Sequence, residues 1–218
     1  MQDEWDELTK TFAHVTDRMG RPIDPAIMET VIALNALDIP TVMSCGGHLA
    51  GEDDGGFRLP WVDIQQLNPD IIALNNEVAR LLDEADEIQK AVEQMRASGG
   101  PTHEIKRAQL RVHALHRERH ILTREIRIQQ AEIRLKLVDY LVQFYNTREA
   151  PFDRRLIVLA HGLGRTRLES QGAADFYLAA SGAIQQEKLY EYRAEMAAFT
   201  DFLKQIYFSQ PHKHTEDH

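Results

Sequence analysis

The residues of this chain that could do chemistry are concentrated in one short stretch, 41–49, which reads TVMSCGGHL. It contains Cys45, the only cysteine of the chain, and His48 three positions later. A thiolate and an imidazole are typical zinc ligands, but a zinc site needs at least three protein ligands. His161 follows another apolar segment and precedes a glycine, so it is the natural third candidate. A zinc ion held by Cys45, His48 and His161 is therefore one hypothesis, with a further oxygen ligand from Asp53, Asp54 or Asp63.

Two other interpretations of the same residues remain open. In the first, Cys45 is a catalytic nucleophile and His48 or His161 is its general base. The backbone amides of Gly46 and Gly47 would then stabilise an oxyanion. In the second, which we favour, Cys45 is a small buried residue at the end of a strand, and His48 is a turn residue bonded to the backbone.

Three arginines form a second candidate site, for an anion. Arg58, Arg165 and Arg167 lie near glycine-containing segments, and guanidinium groups bind phosphate or carboxylate through two hydrogen bonds. The alternative, which we favour, is that they lie at solvated strand ends. Neither glycine segment, 46–47 or 162–164, has the spacing of a nucleotide-binding fingerprint.

The cysteine segment also carries two resemblances. The run DIPTVMSCGGH, followed by PWVDI at 60–64, resembles a pattern in bacterial and phage proteins of unassigned function, which often have Glu where Gly46 stands. That resemblance implies no activity. The segment is also similar to the Ser-Cys-Ser-Gly-Arg segment of the methyltransferases of tRNA wybutosine synthesis. Here Gly46 replaces the serine and His48 replaces the arginine, so tRNA methylation is not carried over.

The elements that must position these residues form an α+β pattern. Apolar runs and alternating segments predict four strands, at 41–45, 61–65, 155–161 and 165–170. Helical periodicity predicts a helix over 3–18, another that begins after Asp24, and a closing helix over 184–208. We therefore expect a small, mainly antiparallel sheet covered by the terminal helices.

The longest periodic signal lies between the second and third predicted strands. Apolar residues from Ile71 to Met95 recur at steps of three and four, the break at 98–101 contains two glycines, and a matching pattern runs from Ile105 to Ile126. Such steps are typical of a coiled-coil seam. We expect one helix up to the break, a second from Thr102 to about Tyr145, and an antiparallel hairpin that forms an inserted arm. The expected division is a body at 1–67 and 148–209, an arm at 68–147 and a disordered tail at 210–218.

Charge and composition limit the classes of partner. The formal net charge is −9, from 25 basic and 34 acidic residues, which argues against nucleic-acid binding over the whole surface. A local basic face remains open, because Lys and Arg are frequent on the second arm helix; the simplest role for them is pairing with acidic residues of the first. No apolar stretch predicts a signal segment or a membrane span, so we expect a cytoplasmic protein that does not contact membranes.

Two functional hypotheses follow. One is a metal-binding protein, with zinc as the candidate cofactor, or a thiol-dependent enzyme, centred on Cys45, His48 and His161. The other is an interaction module whose arm docks a protein partner, a second copy of the chain or nucleic acid. An exposed apolar stripe on the arm favours the second hypothesis.

Overall fold

The computed structural model describes residues 2–16, 20–49, 58–161, 164–173 and 181–210. Within these residues the predicted α+β class is confirmed, with six α-helices and one four-stranded antiparallel sheet. The helices are α1 (Gln2–Phe12), α2 (Pro25–Ala36), α3 (Pro69–Ala97), α4 (Thr102–Gln129), α5 (Ala131–Asn146) and α6 (Gly182–Ser209). The strands are β1 (Thr41–Cys45), β2 (Trp61–Ile64), β3 (Leu156–His161) and β4 (Arg165–Ser170), and a 3-10 turn spans Phe152–Arg154.

The strands lie in the order β1-β2-β4-β3, and every neighbouring pair is antiparallel. Side chains alternate between the two faces of a sheet, and the burial follows that rule. Val62 and Leu168, which are paired across β2 and β4, are fully buried on the face that joins the core. Asp63 and Arg167, the next pair, lie on the opposite face, which we call the outer face.

The main core is built from the inner face of the sheet together with α2, α5 and α6. Its centre is aromatic: the rings of Phe144 and Phe199 meet edge to face with centroids 5.3 Å apart. The helix α2 begins at Pro25 because the Asp24 side chain accepts a hydrogen bond from the Ala26 amide, at 2.9 Å. Burial of this apolar surface holds the sheet on its helices.

The helix predicted over 3–18 ends earlier, at Phe12. The Ala13 amide still bonds four residues back, but the two amides after it bond three residues back: the His14 amide donates to the Thr11 carbonyl, and the Val15 amide to the Phe12 carbonyl. These bonds make a tighter turn than an α-helix. The end of the predicted helix, at 17–18, lies outside the described residues.

Contact density divides the chain into two compact units. One consists of Met1–Gln66, Ile133–His161 and Arg165–His218, and the other of Leu67–Glu132 with Gly162–Gly164. The expected arm at 68–147 includes all of α5, whereas the structure groups residues 133–146, most of that helix, with the first unit. Gln130 separates α4 from α5, where the sequence predicts one helix; its amide still donates to the Ile126 carbonyl, at 3.0 Å.

The second unit contains the predicted helical hairpin. Asn68 begins α3 by accepting a hydrogen bond from the Ile71 amide at 2.8 Å, and α3 ends at the glycine turn before α4. The two helices pack through a buried seam. Its members are Leu81, Ala85, Val112 and Leu115, with the partly buried Ile88 and Leu122.

Among the helices of the described residues, none is long and apolar enough to cross a bilayer.

The aromatic core generates a first prediction. Phe199 has no exposed surface, whereas Tyr190 on the same helix is 78% exposed. We expect Phe199→Ala to lower the free energy of unfolding by about 3–5 kcal/mol, because it leaves a cavity among packed rings. The matched Tyr190→Ala should change it by less than about 0.5 kcal/mol. Urea unfolding measures both, and equal losses would contradict this view of the core.

Candidate functional site

The segment after Cys45 is held by hydrogen bonds from two helical regions. The Gly46 amide donates to the Asp24 carboxylate at 3.0 Å, so Asp24 both caps α2 and anchors this turn. From α6, the guanidinium of Arg193 donates to the carbonyls of Gly46 and Gly47, at 2.8 and 2.6 Å. The backbone at Gly46 and Gly47 is therefore fixed by side chains that come from far apart in the sequence.

The same contacts bear on the proposed oxyanion site. The Gly46 amide is bonded to Asp24, and the Gly47 amide donates to the sulfur of Cys45 at 3.4 Å. An oxyanion hole needs amides that point together at a substrate oxygen. Both amides have partners within the protein, so this geometry gives the thiol hypothesis no such pair.

Both glycines are required by close packing. A Cβ atom on Gly46 would lie 2.5 Å from a carboxylate oxygen of Asp24. Gly47 has a φ of +80°, and a Cβ there would lie 2.5 Å from a methyl carbon of Leu189. The glycine pair thus has a structural reason that is independent of any ligand.

His48 forms an isolated antiparallel bridge with Arg58 beyond the end of β1, so it is bonded to the backbone as the structural interpretation expects, but in a bridge and not in a turn. Its amide donates to the Arg58 carbonyl at 2.9 Å, and the Arg58 amide donates to its carbonyl at 2.8 Å. These two bonds extend the β1-β2 pairing past Cys45. The Nδ1 atom of His48 is buried and has no hydrogen-bond partner.

His161 does not join Cys45 and His48, so the three residues do not form one site. The register aligns Cys45 with Trp61, then Glu169, then Ile157, across the four strands. His161 is three strands away from Cys45 and four residues farther along, which is roughly 20 Å. Zinc ligands must bring their donor atoms within about 2.3 Å of one ion. The hypothesis that Cys45, His48 and His161 together bind one zinc ion is therefore wrong on geometric grounds.

The other possible metal ligands of the described residues do not form a metal site either. Among the described residues, no group of three His, Cys, Asp or Glu side chains could hold a metal ion. The additional oxygen candidates Asp53 and Asp54 lie outside the described residues. Asp63 is described, and its carboxylate is bound to arginine.

The three arginines do not converge on one anion. Arg167 makes two hydrogen bonds to the Asp63 carboxylate, at 2.7 and 3.0 Å, and Arg165 approaches it to 3.6 Å. Arg58 precedes β2, at the end of the strand remote from Arg165, so roughly 20 Å separates them. The predicted anion site is therefore wrong, because Arg165 and Arg167 contact the Asp63 carboxylate of the protein itself.

The outer face of the sheet carries a cluster that sequence reasoning missed. Asp63 has no exposed surface, and the Arg167 guanidinium lies 4.0 Å from the centre of the Trp61 ring. Burial lowers the pKa of Arg167, but the hydrogen bonds and charge of Asp63 outweigh it and raise that pKa. Alternation in the sequence predicts which side chains share a face of a strand, but the pairing of Asp63 with Arg167 depends on the strand order and register that the structure shows.

Glu169 is the other acidic residue of this face. Burial raises its pKa, while the positive charge of Arg167 opposes that shift. Glu169 and Cys45 both neighbour Trp61 in the register, from opposite sides. The cluster is thus a buried ion pair with a half-buried acid beside it.

The chain was also compared with known proteins. No protein family, no curated protein and no solved structure matches it. The resemblances of the cysteine segment therefore stay predictions.

The glycine pair generates a second prediction. Gly47 and Gly99 both have positive φ, but a Cβ on Gly99 meets no atom within 4 Å. We expect Gly99→Ala to cost about 1 kcal/mol, from backbone strain alone. Gly47→Ala should cost clearly more, because the same strain is joined by the clash with Leu189. Equal losses of unfolding free energy would show that the close packing at Gly47 is not important.

The raised pKa of Glu169 generates a third prediction, on pH. A carboxyl whose folded-state pKa is raised binds its proton more tightly when folded, so its contribution to stability is lost as pH rises through that pKa. The side chain in Glu169→Gln cannot ionise. The free energy of unfolding of this variant should therefore rise relative to that of wild type as the pH is raised from 4 to 8. Urea unfolding of both proteins at the two pH values measures this gain. A difference that is constant with pH would contradict it.

Proposed function

We propose that this protein acts by association, and that the exposed face of α4 pairs with a helix of another polypeptide. The observation that carries the proposal is a row of large apolar side chains that the fold leaves in solvent. Leu110, Ile121 and Ile128 are 70%, 65% and 57% exposed. We call these three residues the outer stripe. Exposed apolar surface of this kind marks interaction sites more often than isolated residues do.

The outer stripe follows the helix axis. Its members are eleven and seven residues apart, close to whole numbers of turns at 3.6 residues per turn. Their side chains therefore point in directions that agree within about 20°, over about 27 Å of helix. A straight apolar row of that length fits a second helix lying alongside.

The seam with α3 uses a different face of α4. The buried residues of α4 are Val112 and Leu115, which belong to that seam, and Ile126; all three point about 150° away from the outer stripe. A helix on one side of α4 cannot cover residues on the other side. The hairpin therefore leaves α4 with a second apolar face, and this favours the interaction hypothesis over a hairpin that is complete in itself.

The charges of α4 were expected to pair with those of α3. Among the described residues, the only ion pair between the two helices joins Arg111 to Glu84, at 2.7 Å. Arg117, Arg124 and Arg127 have no ion pair with a described residue. Basic side chains alone would suit phosphates, but nucleic acid gains little from isoleucine and leucine in such a row. The apolar row favours a protein partner.

A fourth prediction tests association without assuming the partner. A fluorescently labelled chain is sedimented in extract of the cells that express it, as wild type, Ile121→Asp and Ile72→Asp. Ile72 is 45% exposed on α3 and is the matched control. We expect wild type and Ile72→Asp to sediment as an assembly heavier than one chain, and Ile121→Asp to sediment as a monomer, because a buried carboxylate would have no partner in the seam.

Two results would contradict the proposal. One is a wild-type chain that sediments as a monomer in the extract. The other is an assembly that Ile121→Asp leaves intact, because it must then use another surface. Circular dichroism of the variant checks that the hairpin is still helical.

A further inference from the structure

We infer that the partner of the outer stripe is a second copy of this chain, and that the two α4 helices pair in parallel and in register. This inference rests on the proposed function and names its partner. It is carried by the residue types within the stripe and by the charges on its two flanks.

The stripe has the residue types of a two-stranded pair. In a heptad labelled a to g, Ile121 and Ile128 occupy a positions and Leu110 a d position, with the small Ala114 at the preceding a. Ile at a and Leu at d favour two parallel helices over three or four.

The flanks of the stripe carry charges of opposite sign. On one flank, the e positions that follow Arg111 are acidic, while Arg111 itself pairs with Glu84 of α3. On the other flank, the g positions are basic or imidazole. The e residues are Glu118, Glu125 and Glu132, and the g residues are His113, His120 and Arg127. All six side chains are exposed. None is used by the buried seam with α3.

This arrangement is complementary to itself only in one orientation. In a parallel pair, each g residue faces the e residue five positions later on the other helix. Arg127 of one copy then faces Glu132 of the other, and His120 faces Glu125. In an antiparallel pair, e faces e, so Glu125 would lie against glutamates of the other copy. Like charges at such positions select against a pairing.

Two residues limit the strength of the pair. Arg117 and Arg124 occupy the d positions between Leu110 and Ile128. Their aliphatic stems can cover the stripe while the guanidinium groups reach water, but they pack less well than leucine. We therefore expect a dimer that dissociates on dilution, as is common where the apolar contact is small.

Disulfide trapping of purified protein tests both the partner and the orientation. Cys45 is the only cysteine, so Cys45→Ser gives a background without thiols. Into it are placed, one at a time, Leu110→Cys, Ile121→Cys, Ile128→Cys and the control Lys90→Cys, which is exposed on α3. Equal residues face each other along a parallel pair. We therefore expect all three stripe variants to form covalent dimers under mild oxidation, and the control to stay monomeric.

Other outcomes would overturn the inference in distinguishable ways. Trapping at no more than one stripe position indicates an antiparallel pair, because such a pair matches equal residues only where it crosses its axis. No trapping at any position, with a heavy assembly still present in extract, leaves the proposed function standing and assigns the stripe to a different protein. A monomer that instead binds duplex DNA or RNA, and loses that binding in Arg117→Glu, assigns the face to nucleic acid.

A charge reversal provides a test that introduces no cysteine. Glu125→Lys places a lysine near His120 of the other copy, twice per dimer, so the dissociation constant should rise about fivefold. The control Glu93→Lys makes the same change at an exposed position of α3. An unchanged dissociation constant for Glu125→Lys would mean that the flanking charges do not set the pairing.

Discussion

The seam between α3 and α4 decides what the hairpin presents to its surroundings. A short glycine turn forces the two helices to lie antiparallel, and packing of Leu81, Ala85, Val112 and Leu115 then fixes their rotation. Once that rotation is set, the side of α4 that bears Ile121 faces away from α3. One apolar face of α4 is thus used in the hairpin, and a second apolar face stays exposed.

Strand register has the same decisive role in the sheet. Because β2 lies between β1 and β4, Asp63 is opposite Arg167, and the pair is buried on the outer face. The same register keeps His161 at the far end of the far strand from Cys45. A cluster that resembles a catalytic group in the sequence is thereby separated, and the polar side chains that do meet bind each other.

The sequence predicts local structure better than the meeting of distant residues. Alternation at 165–170 and the apolar run before His161 predict strands that the structure confirms. Strand order and register depend on pairing between segments more than 90 residues apart, as with Asp63 and Arg167, and periodicity carries no such information. The glycines after Cys45 illustrate the consequence, because their contacts with Asp24 and Arg193 come from helices that no local pattern connects to them.

The hairpin shows the opposite case. Its sequence contains the apolar residues of both faces of α4, but the periodicity was assigned only to the buried seam. One apolar seam per helix accounts for Val112 and Leu115, and the apolar residues at 121 and 128 can be recognised as a separate row only when their exposure is known. The central claim is that this second seam joins two chains. Sedimentation equilibrium of the purified protein over a wide concentration range tests it most directly. The account predicts a mass that rises from 25.0 kDa towards twice that value with concentration. A mass that stays at that of one chain at every concentration would contradict it.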